Sequence, residues 1–218
     1  MYGAYKGVIF DFNGTLFLDN DKHILAWSKI SKMLRGRGIT ESELLEHFNG
    51  VPNQKIITYL LGRDGISEEL EKYSQLKEEF YRRFCLEDQK RFHLVEGSVE
   101  FFNYLKEKGI PFTIASASIK ANIDFFVKEF GLDNWINPKD IVYDDGSYEN
   151  KVTMFLDAAK KLGVDIKECM IVEDSVSGIY SGYLAGCRNI VVIDSSGKAE
   201  KYKSLPGVVK VIRDFKDK

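Results

Sequence analysis

From about residue 98 the chain alternates between helical and β-type patterns, and this rhythm restricts the fold more than any other feature. Residues 98–108 put Val99, Phe102 and Leu105 on one helical face and stop at Gly109, a residue suited to the turn that ends a helix. Phe112-Thr113-Ile114-Ala115 reads as a strand, and residues 119–130 as a helix ended by Gly131. Ile141-Val142-Tyr143 reads as a short strand, and residues 152–162 as a helix ended by Gly163. Met170-Ile171-Val172 is a third apolar run, followed by a helix over 178–185 and a strand over 189–193. Residues 208–212 predict an edge strand. Such alternation predicts an α/β fold, a Rossmann-like and mainly parallel sheet with helices on both faces.

One apolar run stands apart. Residues 6–11 are β-type, but a long helical stretch, residues 20–87, separates them from the rest. Within it Leu25, Ile30, Met33 and Leu34 form one stripe, and Leu44, Leu45 and Phe48 a second. Ile56, Ile57, Leu60 and Leu61 form a third, and Leu70, Tyr73, Leu76, Phe80 and Phe84 a fourth. These predict four short amphipathic helices packed as a small bundle. The expected organisation is one core domain from residues 1–16 and 92–218, with a helical cap inserted over 17–91.

Bulk properties exclude several classes of function. The chain has 218 residues, enough for a sizeable core, and a net charge of −2 with basic and acidic residues mixed. No electrostatic signal for nucleic acid or an acidic membrane follows from that balance. No apolar run approaches the roughly 20 residues that span a bilayer, and no signal-peptide pattern opens the chain. Cys85, Cys169 and Cys187 are odd in number and widely spaced. They predict reduced, buried thiols in a cytoplasmic protein.

Four predicted strand or helix ends carry polar residues: Asp11, Ser116, the Asn150-Lys151 helix start and Glu173-Asp174. In a parallel sheet these ends can share one edge, where open α/β sheets bind ligands. Together they supply a nucleophilic carboxylate, a hydroxyl, a cation and further acids. That set suits a phosphate dianion and one Mg²⁺, which takes oxygen ligands. Singly, each has a plainer reading. Asn13-Gly14 favours a turn, Ser116 could end a strand, Lys151 could lie on the surface, and Glu173-Asp174-Ser175 could cap a helix.

Taken in order, the motifs resemble those of the haloacid dehalogenase superfamily, in its β-phosphoglucomutase-like branch with a four-helix cap. Asp11-Phe12-Asn13-Gly14-Thr15 is similar to the first motif, Ile114-Ala115-Ser116-Ala117-Ser118 to the second, Lys151 to the third and Val172-Glu173-Asp174-Ser175 to the fourth. Ala185-Gly186-Cys187 also fits the branch pattern. The resemblance implies Asp11 as nucleophile and Ser116, Ala117 and Lys151 as the phosphate-binding group. It implies Mg²⁺ held by Asp11, the Asn13 backbone carbonyl and Asp174, with Glu173 a ligand or a supporting partner. It further implies a cap that opens and closes on linkers near residues 17–19 and 92–96.

Two departures bear on activity. The family's second aspartate of the first motif, its general acid and base, is Asn13 here. In the cap, His23 and Trp27 resemble residues near the hinge of β-phosphoglucomutases. Asn49-Gly50-Val51-Pro52-Asn53 resembles the substrate-specificity loop, and the arginine that follows that loop is absent; Lys55 is the nearest cation. The candidate cap residues are therefore His23, Gly50, Asn53 and Lys55. The expected function is hydrolysis of a small phosphorylated metabolite, a sugar phosphate among them, by a monomer. The alternatives are a sugar phosphate mutase, a phosphonatase-like enzyme using Lys55 or Lys77 as a Schiff base, and a non-catalytic phosphate-binding protein.

Overall fold

The computed structural model describes residues 5–48, 51–195, 197 and 199–217. It forms two compact units, Met1–Leu18 with His93–Lys218, and Asp19–Phe92. The first unit is a six-stranded sheet in the order β3-β2-β1-β4-β5-β6. Its strands are β1 (Gly7–Phe10), β2 (Phe112–Ile119), β3 (Val142–Asp144), β4 (Cys169–Glu173), β5 (Ile190–Ile193) and β6 (Val208–Ile212). All five strand pairings are parallel. The run over 208–212 is the edge strand its pattern predicts, and the early apolar run takes the central place, between β2 and β4.

Central parallel strands are covered on both faces, so they read as unbroken apolar runs rather than alternating ones. Every residue of β1, β4 and β5 is buried. Alternate side chains of β1 serve opposite faces. Ile9 joins a core with Met154, Phe155 and Ala158 of α7 (Lys151–Leu162) and Ile179 of α8 (Val176–Ala185). Phe10 meets the rings of Phe101 and Phe102 on α5 (Ser98–Glu107) edge-on, at centroid distances of 6.0 and 5.4 Å. It meets Phe112 and Phe215 in the same way, at 6.1 and 5.9 Å. Phe12, just past the strand, stacks at 4.1 Å on Phe126 of α6 (Lys120–Phe130). Between β5 and β6 lies α9 (Ala199–Lys203), which the sequence pattern did not suggest.

The second unit contains α1 (Asn20–Arg35), α2 (Glu41–Glu43), α3 (Asn53–Leu61) and α4 (Ser67–Glu87). It departs from four short helices. α1 has 16 residues and α4 has 21, whereas α2 has three and continues as a π-helical turn over Leu44–Phe48. A capping box at Thr40 and Glu43 starts α2. The α1 stripe is also phased differently from expectation. Its buried face is Ala26, Trp27 and Ile30, while Leu25 and Met33 are 49% and 51% exposed. Trp27 and Ile30 pack into the unit's core beside Phe48 and Ile57, which is the face of α1 that buries the larger side chains. Leu45 is likewise exposed, and Phe48 carries that segment's burial. Trp27, Ile30, Phe48, Ile56, Ile57 and Leu60 form the unit's core.

Because four aromatic rings converge on Phe10, Phe10→Ala should lower stability by about 3–5 kcal/mol. Urea unfolding of the two chains checks this; a loss below about 1 kcal/mol would mean the rings repack around the gap.

Candidate active site

The chain leaves β1 toward β2 and β3 on one side, and reaches β4, β5 and β6 on the other. The crevice beyond the carboxyl ends of β1 and β4 is therefore the topological switch point, where sheets of this kind bind ligands. The register pairs Phe10 with Val172, so the residues that follow, Asp11 and Glu173, emerge side by side. Asp11 continues the ladder, its N–H donating to Val172 O at 2.9 Å.

Asp11 is buried, with 4% of the residue exposed. Oδ1 accepts from Lys151 Nζ at 2.7 Å, and Oδ2 accepts from Thr15 Oγ1 at 3.0 Å. Burial pushes this carboxyl up to about 6; Lys151 pulls it back and the Glu173 charge adds to the rise. Lys151 is the first residue of α7, whose N-cap Asn150 accepts from Val152 N and Thr153 N. Burial works to lower the ammonium's pKa, but facing Asp11 and Glu173 it is held above its ordinary value.

Glu173 is fully buried and its acceptor capacity is used. Oε1 pairs with Lys151, and Oε2 accepts from Asp174 N, Ser175 N and Ser175 Oγ at 2.8, 2.8 and 3.0 Å. Ser175 also caps α8 by accepting from Gly178 N at 3.0 Å. The helix-cap reading of this segment and the site reading thus hold together. Two glycines make room for the acids. A Cβ on Gly178 would lie 1.8 Å from Glu173 Oε1, and one on Gly14 would lie 2.2 Å from Asp174 Oδ2. Gly14 also has a φ of +79°, in the left-handed region that glycine tolerates.

Asn13 is half-buried, and its Oδ1 accepts from Ser118 Oγ at 2.7 Å and from Ser116 Oγ at 3.3 Å. Ser116 Oγ in turn accepts from Ser118 N at 3.2 Å. Ala117, between them, is exposed. The pairing of β2 with β3 is irregular between Ser116 and Ile119, the kind of break that re-aims side chains beside a site.

Asp11, Glu173 and Asp174 carry carboxylate oxygens that lie within 4.8 Å of one another. Lys151 pairs with two of these acids, Asp11 and Glu173, and the three carboxylates together form an acidic cluster at the end of β1 and β4. An oxygen-only donor set of that charge fits Mg²⁺. Glu173 is engaged by four hydrogen-bond donors, which suits it to a supporting place beside such an ion.

The candidate cap residues lie in the helical unit. His23 stacks on Tyr81 at 4.0 Å, with Nδ1 2.8 Å from Lys77 Nζ and Nε2 3.4 Å from Asp19 Oδ2. Asn53 Nδ2 donates to Glu78 Oε1 at 2.9 Å. Lys55 is exposed, and Gly50 lies outside the described residues. Sequence reasoning did not find Asp19, Glu78 and Tyr81, which are buried beside Lys77. A carboxylate at the start of α1 and a Lys-Glu pair mid-helix look like solvated charges in sequence; no spacing signal separates them from those. Thr15 and Ser118 lie within the first and second motifs and carry no sequence signal of their own.

Lys151→Met would leave two buried carboxylates facing each other without a cation. It should lower stability by about 3–5 kcal/mol near neutral pH. A urea midpoint equal to that of the native chain would contradict the buried pairing.

A family model described as haloacid dehalogenase-like hydrolase matches residues 5–186. A crystal structure of a family IA, variant 3 hydrolase from Entamoeba histolytica superposes with a TM-score of 0.91 at 32% identity, covering 98% of this chain and 95% of that one. Hexitol phosphatase A of Escherichia coli is 28% identical over 191 residues, 86% of this chain and 82% of that protein. The bifunctional riboflavin kinase/FMN phosphatase of Arabidopsis thaliana is 28% identical over 148 residues, 66% of this chain, and the match spans only 38% of that longer protein. With the family model covering most of its length, the chain belongs to the haloacid dehalogenase-like hydrolases.

Proposed function

We propose that the chain is a Mg²⁺-dependent phosphohydrolase that acts on a small phosphorylated metabolite through an aspartyl-phosphate at Asp11. The observation that carries this reading is the meeting of Asp11, Lys151, Glu173 and Asp174 at the switch point, with Lys151 Nζ 2.7 Å from Asp11 Oδ1. A nucleophile for phosphorus needs a carboxylate held in place and a cation close by to offset the charge of the transferring group.

In this mechanism an Asp11 oxygen attacks phosphorus as the bridging P–O bond breaks. The electron pair stays on the leaving oxygen, which takes its proton from solvent. The Ser116 hydroxyl, the Ala117 backbone N–H and the Lys151 ammonium hold the phosphoryl oxygens. Glu173 keeps Lys151 and the Asp174 segment in place. Asp11, Asp174 and the Asn13 backbone carbonyl would hold Mg²⁺, which supplies further neutralisation of phosphoryl charge. Water then attacks the phosphorus as the bond from the Asp11 oxygen to phosphorus breaks and its electron pair returns to the carboxylate; the water's proton passes to solvent, and phosphate leaves. Asn13 is an amide and cannot take the water's proton, so this second step is the slow one.

The relatives named as phosphatases support ester hydrolysis over sugar phosphate mutation. So does Asn53, whose amide is bonded to Glu78 where a mutase needs a cation. A Schiff-base role is less favoured: Lys55 is exposed, and Lys77, though buried, has Glu78 Oε1 2.8 Å from its Nζ. Three buried, unbridged cysteines agree with a cytoplasmic location.

Phosphate release from p-nitrophenyl phosphate with Mg²⁺ tests the reading. Asp11→Asn should abolish it. Asn13→Asp should raise turnover by about 10²-fold or more, the usual worth of general acid–base help. Release that survives Asp11→Asn, or turnover that Asn13→Asp leaves unchanged or lowers, would contradict the proposal.

A further inference from the structure

An asparagine followed by glycine is a chemically labile pair. The glycine nitrogen loses its proton to water and bonds to the asparagine Cγ. The Cγ–N bond breaks, the amide nitrogen takes up a proton and leaves as ammonia, and a five-membered imide remains. Solvent water then opens the ring at either carbonyl, giving aspartate or isoaspartate. Glycine favours this closure because it has no Cβ to crowd the attack and a wide choice of backbone conformation. The chain holds two such pairs, Asn13-Gly14 and Asn49-Gly50, the second outside the described residues. At position 14 a glycine is required, by its φ of +79° and by Asp174 Oδ2, which would lie 2.2 Å from a Cβ there. A labile pair therefore stands beside Asp11 by structural necessity.

The fold withholds what the reaction needs. Gly14 N–H donates to Phe17 O at 2.7 Å, so the attacking nitrogen must leave that bond before it can react. Asn13 and Phe17 form a β-bridge. Within the turn, Phe12 O accepts from the N–H groups of Thr15, Leu16 and Phe17 at 3.2, 2.8 and 3.1 Å. Phe12, Thr15, Leu16 and Phe17 are all buried. The Phe17 ring lies 5.3 Å from that of Phe130 and 6.3 Å from that of Phe126, both on α6. Opening the turn thus costs both its hydrogen bonds and this packing.

We infer that Asn13-Gly14 is a deamidation site that the fold holds closed. Position 13 keeps its amide in the folded chain and acquires an acid only when the turn over 12–17 opens. The conversion is one-way. On the proposed mechanism it supplies a base for the release of phosphate from Asp11, and that consequence alone rests on the aspartyl-phosphate reading.

The test incubates the full chain at mildly alkaline pH in water enriched in heavy oxygen, either native or unfolded in urea. Proteolysis and mass then map the label at each Asn-Gly pair. Conversion through opening tracks the open fraction when reclosing outpaces the chemistry, so Asn13 should convert about 10²-fold or more slowly in the native chain than in the unfolded one. In urea it should match Asn49, which has the same neighbour. Phe17→Ala removes the ring packing and leaves the labile pair untouched; in buffer, with the chain folded, it should speed conversion by about tenfold or more.

Equal rates in the native and unfolded chains overturn the inference. So does an Asn13 that stays intact in urea while Asn49 converts, since the protection then lies outside the fold. An unchanged rate in folded Phe17→Ala overturns the turn as the guard. The mechanism is read separately, by refolding the converted chain and assaying p-nitrophenyl phosphate with Mg²⁺. Turnover should rise with the fraction of aspartate mapped at position 13; a mapped acid with no rise contradicts the proposed role of the amide and leaves the guarded site standing.

Discussion

A single ammonium group organises the candidate site. Lys151 lies between Asp11 and Glu173, two carboxylates brought side by side by the parallel register of β1 and β4. Without it the two acids would face each other in a place with little water, and neither would stay ionised at modest cost. The structure supports the ammonium from several directions. Asn150 caps the helix that carries it. Phe155, one turn further on, places its ring 5.6 Å from the Lys151 nitrogen. The amides and hydroxyl at the start of α8 fix the far side of Glu173.

The same arrangement explains why glycine occupies two positions. Gly14 and Gly178 are not only turn or helix residues; they vacate the volume that Asp174 and Glu173 fill. A polar cluster this dense can exist inside a fold only where neighbouring residues give up their side chains. The apolar frame around it is correspondingly heavy, with Phe10 and Phe12 packed among rings on either side of the strand end. That packing holds Asp11 in place.

Much of this was legible in the amino-acid sequence. The α/β alternation and the place of β6 at the edge follow from apolar runs and glycine stops, which are local signals. The residues that meet at the switch point could be named because each stands at a strand or helix end. Their partners could not be read off. The Lys151 contact with Asp11 spans 140 residues and the Ser118 contact with Asn13 spans 105, and no local pattern encodes either. In the helical unit the phase of α1 departs from the sequence expectation: Leu25 and Met33 are as apolar as the residues of a buried stripe, yet Ala26, Trp27 and Ile30 are the ones buried. The buried Lys77-Glu78 pair was invisible for a similar reason: adjacent opposite charges on a helix look like a solvated surface.

In the proposed mechanism Asp11 is a covalent nucleophile and Asn13 a poor aid to the water that should release it. Both halves are tested by mixing the native chain with Mg²⁺ and excess p-nitrophenyl phosphate, quenching in acid and mapping the intact protein by mass. The native chain should carry a nearly full complement of phospho-Asp11 in the steady state, and Asn13→Asp a much smaller fraction. Steady turnover with no phosphorylated Asp11 in either chain would contradict the mechanism.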